Sequence, residues 1–377
     1  MHQFFRSRMS KCTTWPFARV LAAAVLLLAV QPTVAQQTES QEATPAHQAE
    51  LELTLVHSFD KGSTIYHVDF LPDGKRVVLG GDMVHRPISV WDVEKNTVVD
   101  ELEQPDDWYM SVAASPDGKY VVSSGLSGAI KIWSLETSAV ENTLVHPGIV
   151  SSYAFTPDGQ TLATSGTDGT ARLWDMRTRK RLHVLKGHNA AVTGLAFTPD
   201  GKQLVTGSLD NTVRKWDATS GDLIQELPHP AAVWSIAVSP DRKLIASGAG
   251  GALIGAPSEQ MYAVGDDNTI RLWDIETGRL LRQLRGHTHV VRRIAMSPDG
   301  RLAASAGLDN TLRLWHLGSG KELDRVEGDG WVISVDFSPD GKFVVAVGGV
   351  RKEGRDWHRA PDERARLFEV KKRVAGD

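Results

Sequence analysis

Four segments of the chain carry a histidine, a serine or threonine, an aspartate and a tryptophan in the same order. The sets are His146, Thr164, Asp168 and Trp174; His188, Thr206, Asp210 and Trp216; His229, Asp267 and Trp273, with Ser247 displaced by an insertion; and His287, Ser305, Asp309 and Trp315. A hydroxyl, an imidazole and a carboxylate are the nucleophile, base and orienting group of hydrolytic triads. A nucleophilic catalytic site is therefore the first chemistry that these residues suggest.

The repetition of the set argues against catalysis. A triad enzyme needs one exposed nucleophile beside one base, and four copies of the constellation serve no single reaction. A structural network explains the repeats, because the aspartate can accept from the histidine while the histidine bridges to a hydroxyl that meets the tryptophan N–H. Each such bond contributes about 1 kcal/mol net, whereas a buried group left without its partner costs roughly 1–3 kcal/mol. We interpret the sets as structural tetrads and predict that the chain is not an enzyme.

The tetrads are part of a repeat of roughly 40 residues. Its tryptophan recurs in alternating segments, and Phe368 takes the seventh place after Trp91, Trp133, Trp174, Trp216, Trp273 and Trp315. Each unit also contains a turn such as TPDG (198–201), in which Pro and Gly favour chain reversal. Flanking stretches such as VTGLAF (192–197) alternate as strands do. Since a few short strands cannot bury both faces alone, the units must stack on one another.

The combination of GH, SPDG, LDNT and LWD motifs resembles the WD40 repeat family, over roughly residues 51–370. This resemblance implies an all-β fold: a seven-bladed β-propeller of four-stranded antiparallel blades around a central channel. Few residues follow Phe368, so we predict that the N-terminal strand LELTLVHSF (51–59) completes the last blade and closes the ring. The tetrads are incomplete around that seam, where Lys61, His85, Pro105, Ser127 and Gly328 replace histidine or aspartate although Asp362 is retained.

The N-terminal segment predicts export. Basic residues precede the apolar run VLAAAVLLLAV (20–30), which is too short to span a bilayer and is typical of a signal peptide. We assign 1–35 to a signal peptide, 36–50 to a flexible polar linker and 51–377 to the propeller, and an uncleaved anchor is the alternative. After cleavage we expect no stable membrane span and a periplasmic or secreted protein, which resembles exported bacterial WD40 repeat proteins. The only cysteine, Cys12, precedes the run, so thiol chemistry is excluded from the mature chain.

Charge and spacing exclude several other classes of function. The net charge of −4 argues against a nucleic-acid-binding protein, which would normally be basic. The motif HTH (287–289) suggests a metal ligand, but His287 belongs to a tetrad and no further ligand has suitable spacing. The glycines of 248–264 do not match a dinucleotide-binding fingerprint. We therefore predict no metal and no cofactor.

A set of aromatic and arginine residues marks a candidate binding face at the channel mouth. Alignment on the PDG turns, together with insertions at 248–264 and 348–361 and a shorter loop at 80–87, selects Tyr66, Arg86, Trp108, Tyr109, Trp234, Arg292, Trp331, Trp357 and Arg359. Aromatic residues and arginine are enriched where proteins recognise proteins. The aligned entry positions contain no carboxylate of the kind with which propeller hydrolases hold a metal. Some of these aromatic side chains could instead plug the channel as core residues.

These observations predict a non-catalytic, exported scaffold that binds a protein or peptide through its loop-bearing face. The alternative from another class is a periplasmic small-ligand receptor or enzyme, with arginines at the channel mouth holding an anionic or carbohydrate ligand. A third possibility is a structural accessory domain of a larger complex. The fold hosts unrelated functions, so the sequence alone does not name the partner.

Overall fold

A computed structural model describes residues 51–60, 65–81, 87–103, 111–251, 253–254, 261–262, 267–353, 356–359 and 364–373. The predicted signal peptide and linker lie outside these residues. From Ala49 to Asp377 the chain forms one compact unit. Within the described part of the chain, no helix is long and apolar enough to cross a membrane.

The described strands form eight antiparallel sheets, of which seven are the blades of a propeller, and this confirms the predicted fold. The chain begins with β1 (Leu51–Asp60), and blade 1 follows with β2 (His67–Phe70), β3 (Arg76–Gly80), β4 (Ile88–Asp92) and β5 (Thr97–Leu102). Blade 2 contains β6 (Ser111–Ala114), β7 (Tyr120–Ser124), β8 (Ala129–Ser134) and β9 (Val140–Val145). Blade 3 contains β10 (Val150–Phe155), β11 (Thr161–Gly166), β12 (Ala171–Asp175) and β13 (Arg181–Leu185). In each blade we call the strands a to d from the channel outward.

The remaining blades repeat this order. Blade 4 contains β14 (Val192–Phe197), β15 (Gln203–Ser208), β16 (Thr212–Asp217) and β17 (Leu223–Pro228). Blade 5 contains β18 (Ala232–Val238), β19 (Leu244–Gly250), β22 (Ile270–Asp274) and β23 (Leu280–Leu284), with β20 (Leu253–Ile254) and β21 (Met261–Tyr262) paired inside its insertion. Blade 6 contains β24 (Val291–Met296), β25 (Leu302–Gly307), β26 (Thr311–His316) and β27 (Lys321–Glu327). Blade 7 contains β28 (Trp331–Phe337), β29 (Phe343–Glu353), β30 (Asp356–Arg359) and β31 (Arg364–Lys372).

The N-terminal strand closes the ring as predicted. β1 pairs antiparallel with β31, so that Leu55 lies opposite Phe368, and it supplies the outermost strand of blade 7. Leu53 of β1 and Phe368 then share one apolar cluster with Leu314 of blade 6. The closure therefore joins both ends of the propeller chain through a sheet and a common core.

The PDG turns fix where strands a and b reverse. In blade 4, the Thr198 hydroxyl donates to Asp200 Oδ1 at 2.6 Å and accepts from the amide of Gln203 at 3.1 Å. Gly201 follows with φ +69°, a left-handed conformation that glycine adopts without steric cost. The same hydroxyl-to-aspartate bond recurs in blades 2, 3, 5, 6 and 7, whereas blade 1 has Leu71 at the hydroxyl position.

Apolar side chains fill the spaces between blades. One cluster joins Val205 and Leu227 of blade 4 to Val233, Ile236 and Trp273 of blade 5. Each blade thus buries its two faces against its neighbours, and burial of a large aliphatic side chain contributes roughly 1.5–3 kcal/mol.

A β-bulge interrupts strand a in blades 3 to 7. In each case one residue is left out of the ladder with strand b, and these residues are Ser151, Thr193, Trp234, Arg292 and Ile333. A bulge bends the strand and redirects the side chain at that position. The sequence alignment selected these same positions as the entry to strand a, but it did not predict the bulge.

One buried lysine occupies a position that is apolar in every other blade. The residue before the tryptophan or phenylalanine of strand c is Lys215 in blade 4, and elsewhere it is Val90, Ile132, Leu173, Leu272, Leu314 or Leu367. Lys215 Nζ donates to the carbonyl of Ile275 at 2.6 Å. Burial lowers the pKa of the Lys215 amine, against the opposing effect of Glu276 and Asp274.

Replacing Lys215 by leucine is expected to leave the free energy of unfolding unchanged or to raise it by about 1 kcal/mol. An apolar side chain of similar size avoids the desolvation of a charge, and such replacements are often neutral or stabilising. Urea denaturation measures the effect, with Lys202→Leu as the control at an exposed lysine. A loss of stability confined to Lys215→Leu would show that the Ile275 bond outweighs desolvation.

Candidate functional site

The tetrads of blades 4 and 6 form closed hydrogen-bonded networks. In blade 4, His188 Nε2 lies 2.7 Å from Thr206 Oγ1 and His188 Nδ1 lies 2.9 Å from Asp210 Oδ2. The Trp216 indole N–H donates to the same threonine oxygen at 2.9 Å. Blade 6 repeats this arrangement with His287, Ser305, Asp309 and Trp315, at 2.7 Å from histidine to serine and 2.8 Å from tryptophan to serine. Two buried side-chain donors and one hydroxyl are satisfied together in each blade.

Blade 3 contains the same network with the imidazole turned over. His146 Nδ1 lies 3.1 Å from Thr164 Oγ1, and His146 Nε2 lies 3.1 Å from Asp168 Oδ1. The Trp174 indole donates to the threonine at 2.9 Å. Asp168 also pairs with Arg172 at 2.9 Å, so the tetrad connects to an arginine of strand c.

Blade 5 departs from the predicted tetrad. Ser247 keeps its place, 3.2 Å from His229 Nε2 and 2.8 Å from the Trp273 indole nitrogen that donates to it. The expectation that the insertion displaces Ser247 is therefore wrong. The insertion lies between Ser247 and Asp267, and it is the aspartate that leaves the network: Asp267 pairs with Arg271, while His229 Nδ1 lies 3.0 Å from the Ala231 carbonyl.

The enclosure of the tetrads makes them unsuitable as catalytic groups. The four hydroxyl residues, Thr164, Thr206, Ser247 and Ser305, are each 0% exposed. Burial lowers the pKa of His188, and burial together with the charge of Arg271 lowers the pKa of His229 to about 4, so both rings are uncharged at neutral pH. No substrate can reach such a hydroxyl without opening the blade.

The channel mouth brings three of the predicted binding residues together in blades 5 to 7. The guanidinium of Arg292 lies 5.5 Å from the centre of the Trp234 ring, which is a cation–π contact. Trp234 and Val290 belong to a small apolar cluster, and Trp331 packs against it. Arg292 and Trp331 are half-buried and keep part of their surface open.

For Trp234 the structure fits the alternative of a core aromatic rather than an accessible binding residue. It is 4% exposed, and its indole N–H donates to the Gly251 carbonyl at 3.2 Å. Trp234 is thus a core residue, and its ring packs against the guanidinium of Arg292. The solvent-accessible residues of this site are Arg292 and Trp331.

The other predicted binding residues are distributed as follows. Tyr66 is half-buried just before β2, with its amide donating to the Gly80 carbonyl at 3.0 Å. Arg86, Trp108 and Tyr109 lie outside the described residues. Trp357 and Arg359 lie on β30, opposite Lys352 and Val350 of β29. The blade 7 insertion, which the sequence indicated as a loop, therefore extends strand b into a β-hairpin.

Sequence reasoning missed a ring of small or polar residues around the channel. Five residues before each turn proline, the seven blades place His67, Ser111, Ser152, Gly194, Ser235, Arg293 and Ser334 in the same register. Two residues later the position is alanine in five blades but Asp69 in blade 1 and Asp336 in blade 7. The sequence did carry a signal for this ring. At the first position His67 and Arg293 replace a small residue, and at the second Asp69 and Asp336 replace alanine.

The two aspartates of the ring bind the edge amides of neighbouring blades. Asp69 Oδ2 accepts from the amide of Ala114 at 2.8 Å, and Asp336 Oδ2 accepts from the amide of Phe70 at 2.9 Å. Burial raises the pKa of Asp69 well above its usual range, and the adjacent Asp336 raises it further. Burial also raises the pKa of Asp336. Burial and the neighbouring carboxyl thus both favour the protonated form of Asp69.

Arg293 supplies the positive charge that balances these carboxyls. It extends from blade 6 across the channel, and its Nη1 lies 3.5 Å from the Ser152 hydroxyl of blade 3. Its charge lowers the pKa of both aspartates, against the effect of burial. Across the described part of the chain, no three histidine, cysteine, aspartate or glutamate side chains are grouped so that they could hold a metal ion.

Comparison with known proteins identifies the repeat. The family described as "WD domain, G-beta repeat" matches residues 96–134, 140–175, 179–217, 221–274, 278–316 and 320–352. These stretches cover more than half of the chain. The chain belongs to the WD40 repeat family. The matches include blades 3 to 6 with their tetrads, so in this WD40 protein the four sets are elements of the family's fold.

Several curated WD40 relatives resemble part of the chain. Eukaryotic translation initiation factor 3 subunit I of Phaeosphaeria nodorum is 37% identical over 73 residues, which is 19% of this chain and 17% of the relative. Nuclear distribution protein PAC1-2 of Uncinocarpus reesii is 42% identical over 65 residues, 17% of this chain and 14% of the relative. The human WD repeat and SOCS box-containing protein 1 is 34% identical over 92 residues, 23% and 22% respectively. The chain spans less than a quarter of these relatives.

Proposed function

We propose that this WD40 propeller is a non-catalytic scaffold that binds a protein or peptide through the channel mouth of blades 5 to 7. The observation that carries the proposal is the stacking of Arg292 on the buried Trp234, beside the half-buried Trp331. A rigid aromatic support holds the guanidinium in place before a partner arrives. Arginine and tryptophan so arranged are typical of the residues that contribute most to protein interfaces.

Two further features support a binding role over a catalytic one. The hydroxyl and histidine side chains that could form triads are enclosed in the tetrads. In the channel interior, the carboxyls of Asp69 and Asp336 are engaged with the edges of neighbouring blades. What the mouth offers is a surface of arginine and aromatic groups. One relative is named as a subunit of a translation initiation factor, in keeping with such a role.

The proposed site of action is outside the cytoplasm. This part of the proposal rests on the sequence of residues 1–35, in which basic residues precede the apolar run 20–30. The partner would then be a periplasmic or secreted protein. The N-terminal sequence of the protein isolated from its own cells tests export, because cleavage after Ala35 leaves Gln36 as the first residue.

Replacing Arg292 by glutamate is expected to reduce capture of partner proteins by at least tenfold. The change reverses the charge at the supported position and loses the cation–π contact with Trp234. Capture from lysate is quantified by mass spectrometry with the full chain as bait. Arg279→Glu is the matched control, since Arg279 is exposed in the turn between strands c and d, at the opposite end of the blade.

Equal capture by wild type and Arg292→Glu would contradict the proposed face. A small-ligand receptor gives a different result, in which no protein is enriched and a metabolite raises the melting temperature by mass action.

A further inference from the structure

A groove opens between blades 4 and 5 at the end of the blades where strand a turns into strand b. It has a volume of about 320 Å³, which is within the range of small-molecule sites. Residues of both blades and of their turns line it, among them Gln203, Lys215, Arg242, Asp274, Ile275 and Glu276. The channel mouth with Arg292 lies at the opposite end of the blades, so a ligand in this groove is independent of the proposed partner.

The buried side of this groove is polar, whereas the equivalent groove between blades 7 and 1 is apolar there. That second groove has Leu367 and Phe343 at the positions of Lys215 and Gln203. Lys215 is 5% exposed, so its charge is largely enclosed. The groove is thus part of the propeller architecture, and the lysine and glutamine that line it are particular to blade 4.

Lys215 and Gln203 retain hydrogen-bonding capacity toward the groove. The lysine ammonium has three N–H donors, and the Ile275 carbonyl accepts from one of them at 2.6 Å. Neither the other two donors nor the Gln203 side-chain amide forms a hydrogen bond with any residue that the structure describes. A buried donor without an acceptor is costly, so a ligand oxygen at this point would be stabilising.

Two carboxylates lie close to the lysine. Burial lowers the pKa of the Lys215 amine, and the charges of Glu276 and Asp274 oppose that shift, which places both carboxylates near it. Asp274 Oδ1 accepts from the amide of Thr277 at 2.7 Å within its own turn. Over the described part of the chain, Asp274 Oδ2 and the exposed Glu276 carboxylate form no hydrogen bond. Both carboxylates can therefore accept from a ligand.

The other charged residues that line the groove are paired with one another. Arg242, which replaces the turn glycine of the other blades, lies 2.6 Å from Asp200 through Nη1 and Oδ2. Lys243 Nζ lies 3.5 Å from Asp241 Oδ2. Among the lining residues this leaves the Lys215 ammonium and the two carboxylates of the strand c–d turn. The complementary ligand has one carboxylate and two cationic groups.

These charges disfavour two other classes of ligand. A metal ion would meet the Lys215 ammonium, and nowhere among the described residues are three histidine, cysteine, aspartate or glutamate side chains grouped so that they could hold one. A polyanion such as a nucleotide would meet the carboxylates of Asp274 and Glu276. A basic α-amino acid carries the required set, because at neutral pH it has one carboxylate, one α-ammonium and one cationic side chain.

We propose that this groove binds a free basic α-amino acid such as lysine, with its carboxylate on Lys215 and its two cationic groups on Asp274 and Glu276. The Gln203 amide donates a second hydrogen bond to the ligand carboxylate. Hydrogen bonds between charged groups are shorter and stronger than neutral ones, so three such pairs provide both affinity and selectivity for this arrangement of charges.

Thermal denaturation of the full chain with three related compounds tests the site. L-Lysine has all three charged groups, Nα-acetyl-L-lysine lacks the α-ammonium, and 1,5-diaminopentane lacks the carboxylate, with sodium chloride used to equalise ionic strength. At about fifty times its dissociation constant, L-lysine is expected to raise the melting temperature by about 3 °C through mass action. Each analogue should give less than about a third of that shift, because each lacks one of the charged partners.

Lys215→Leu is expected to abolish the shift with L-lysine while the protein keeps its stability, because the other blades have apolar residues at this position. Lys202→Leu is the matched control, since Lys202 is exposed and does not line the groove, and it should keep the full shift. If Lys215→Leu fails to fold, Glu276→Gln at an exposed position serves instead and should at least halve the shift.

Three results would overturn the proposal. One is an equal shift with L-lysine in wild type and Lys215→Leu, or in wild type and Glu276→Gln where that variant is used. Another is an equal shift with L-lysine and either analogue, because the missing charge would then not be recognised. The third is no shift with L-lysine up to about 50 mM, which excludes a millimolar site.

Discussion

Replacing Arg293 by methionine is expected to lower the free energy of unfolding by about 3 kcal/mol at neutral pH. The guanidinium is enclosed by the blades and supplies the positive charge facing Asp69 and Asp336. Removing one member of a buried charge group leaves the others uncompensated, which costs roughly 3–5 kcal/mol in enclosed sites. Arg293 keeps some exposure to the channel, so the lower end of that range applies. Chemical denaturation monitored by tryptophan fluorescence measures the change.

The pH dependence of this loss has a definite sign. The pKa of Asp69 and that of Asp336 are raised in the folded protein, so their contribution to stability is full below the ordinary carboxyl range and is lost as the pH rises through the raised values. Methionine at 293 removes a charge that lowers both pKa values, which enlarges that loss. The difference between wild type and Arg293→Met should therefore shrink as the pH falls towards 4.

Two variants serve as controls for the channel interpretation. Arg292→Met removes a neighbouring arginine that stacks on Trp234 and faces solvent, and it should cost less than about 1 kcal/mol. Asp69→Asn keeps the acceptor for Ala114 and a donor for Asp336, and it should be neutral or stabilising. A destabilisation by Arg292→Met as large as that by Arg293→Met would refute the charge argument.

Replacing Thr206 by valine is expected to cost about 2–4 kcal/mol of unfolding free energy. Valine has nearly the same volume but no hydroxyl, so the Trp216 indole N–H and His188 Nε2 both lose a partner at a site with 0% exposure. Each buried group left without a hydrogen bond costs roughly 1–3 kcal/mol. The melting temperature and the urea midpoint report the loss.

Thr206→Ser is the matched control, because blades 5 and 6 already use Ser247 and Ser305 at this position. The serine variant should retain most of the stability. If serine and valine cost the same, the packing of the methyl group rather than the hydrogen-bond network would account for the effect.

Local repetition explains why much of the fold could be predicted from the sequence. The PDG turns and the tetrad spacing depend on residues within one unit. Each copy therefore carried the same pattern, and the repetition strengthened the prediction of the fold. The closure by β1 could be predicted because residues 51–59 alternate as a strand does and precede the first complete inner strand.

The features that were missed depend on an insertion or on contacts between units. The displaced Asp267 follows from an insertion whose path the repeat does not specify. The burial of Trp234 depends on Val290 and Trp331 of the next two blades, and the bulge that places it there has no residue signature of its own. The channel ring was readable only as His67, Asp69, Arg293 and Asp336 against a background of small residues. Only the circular arrangement of the blades shows that these four residues lie close together.

The most direct test of the account measures the dissociation constant of one captured partner for three forms of the propeller. The account predicts that Arg292→Glu weakens binding at least tenfold, because it alters the proposed face while Trp234 remains in the core. Thr206→Val should bind within twofold of wild type below its melting temperature, because the tetrad lies inside blade 4. Wild-type affinity in Arg292→Glu would contradict binding at the channel mouth of blades 5 to 7. A loss of affinity in Thr206→Val as large as in Arg292→Glu would contradict it as well.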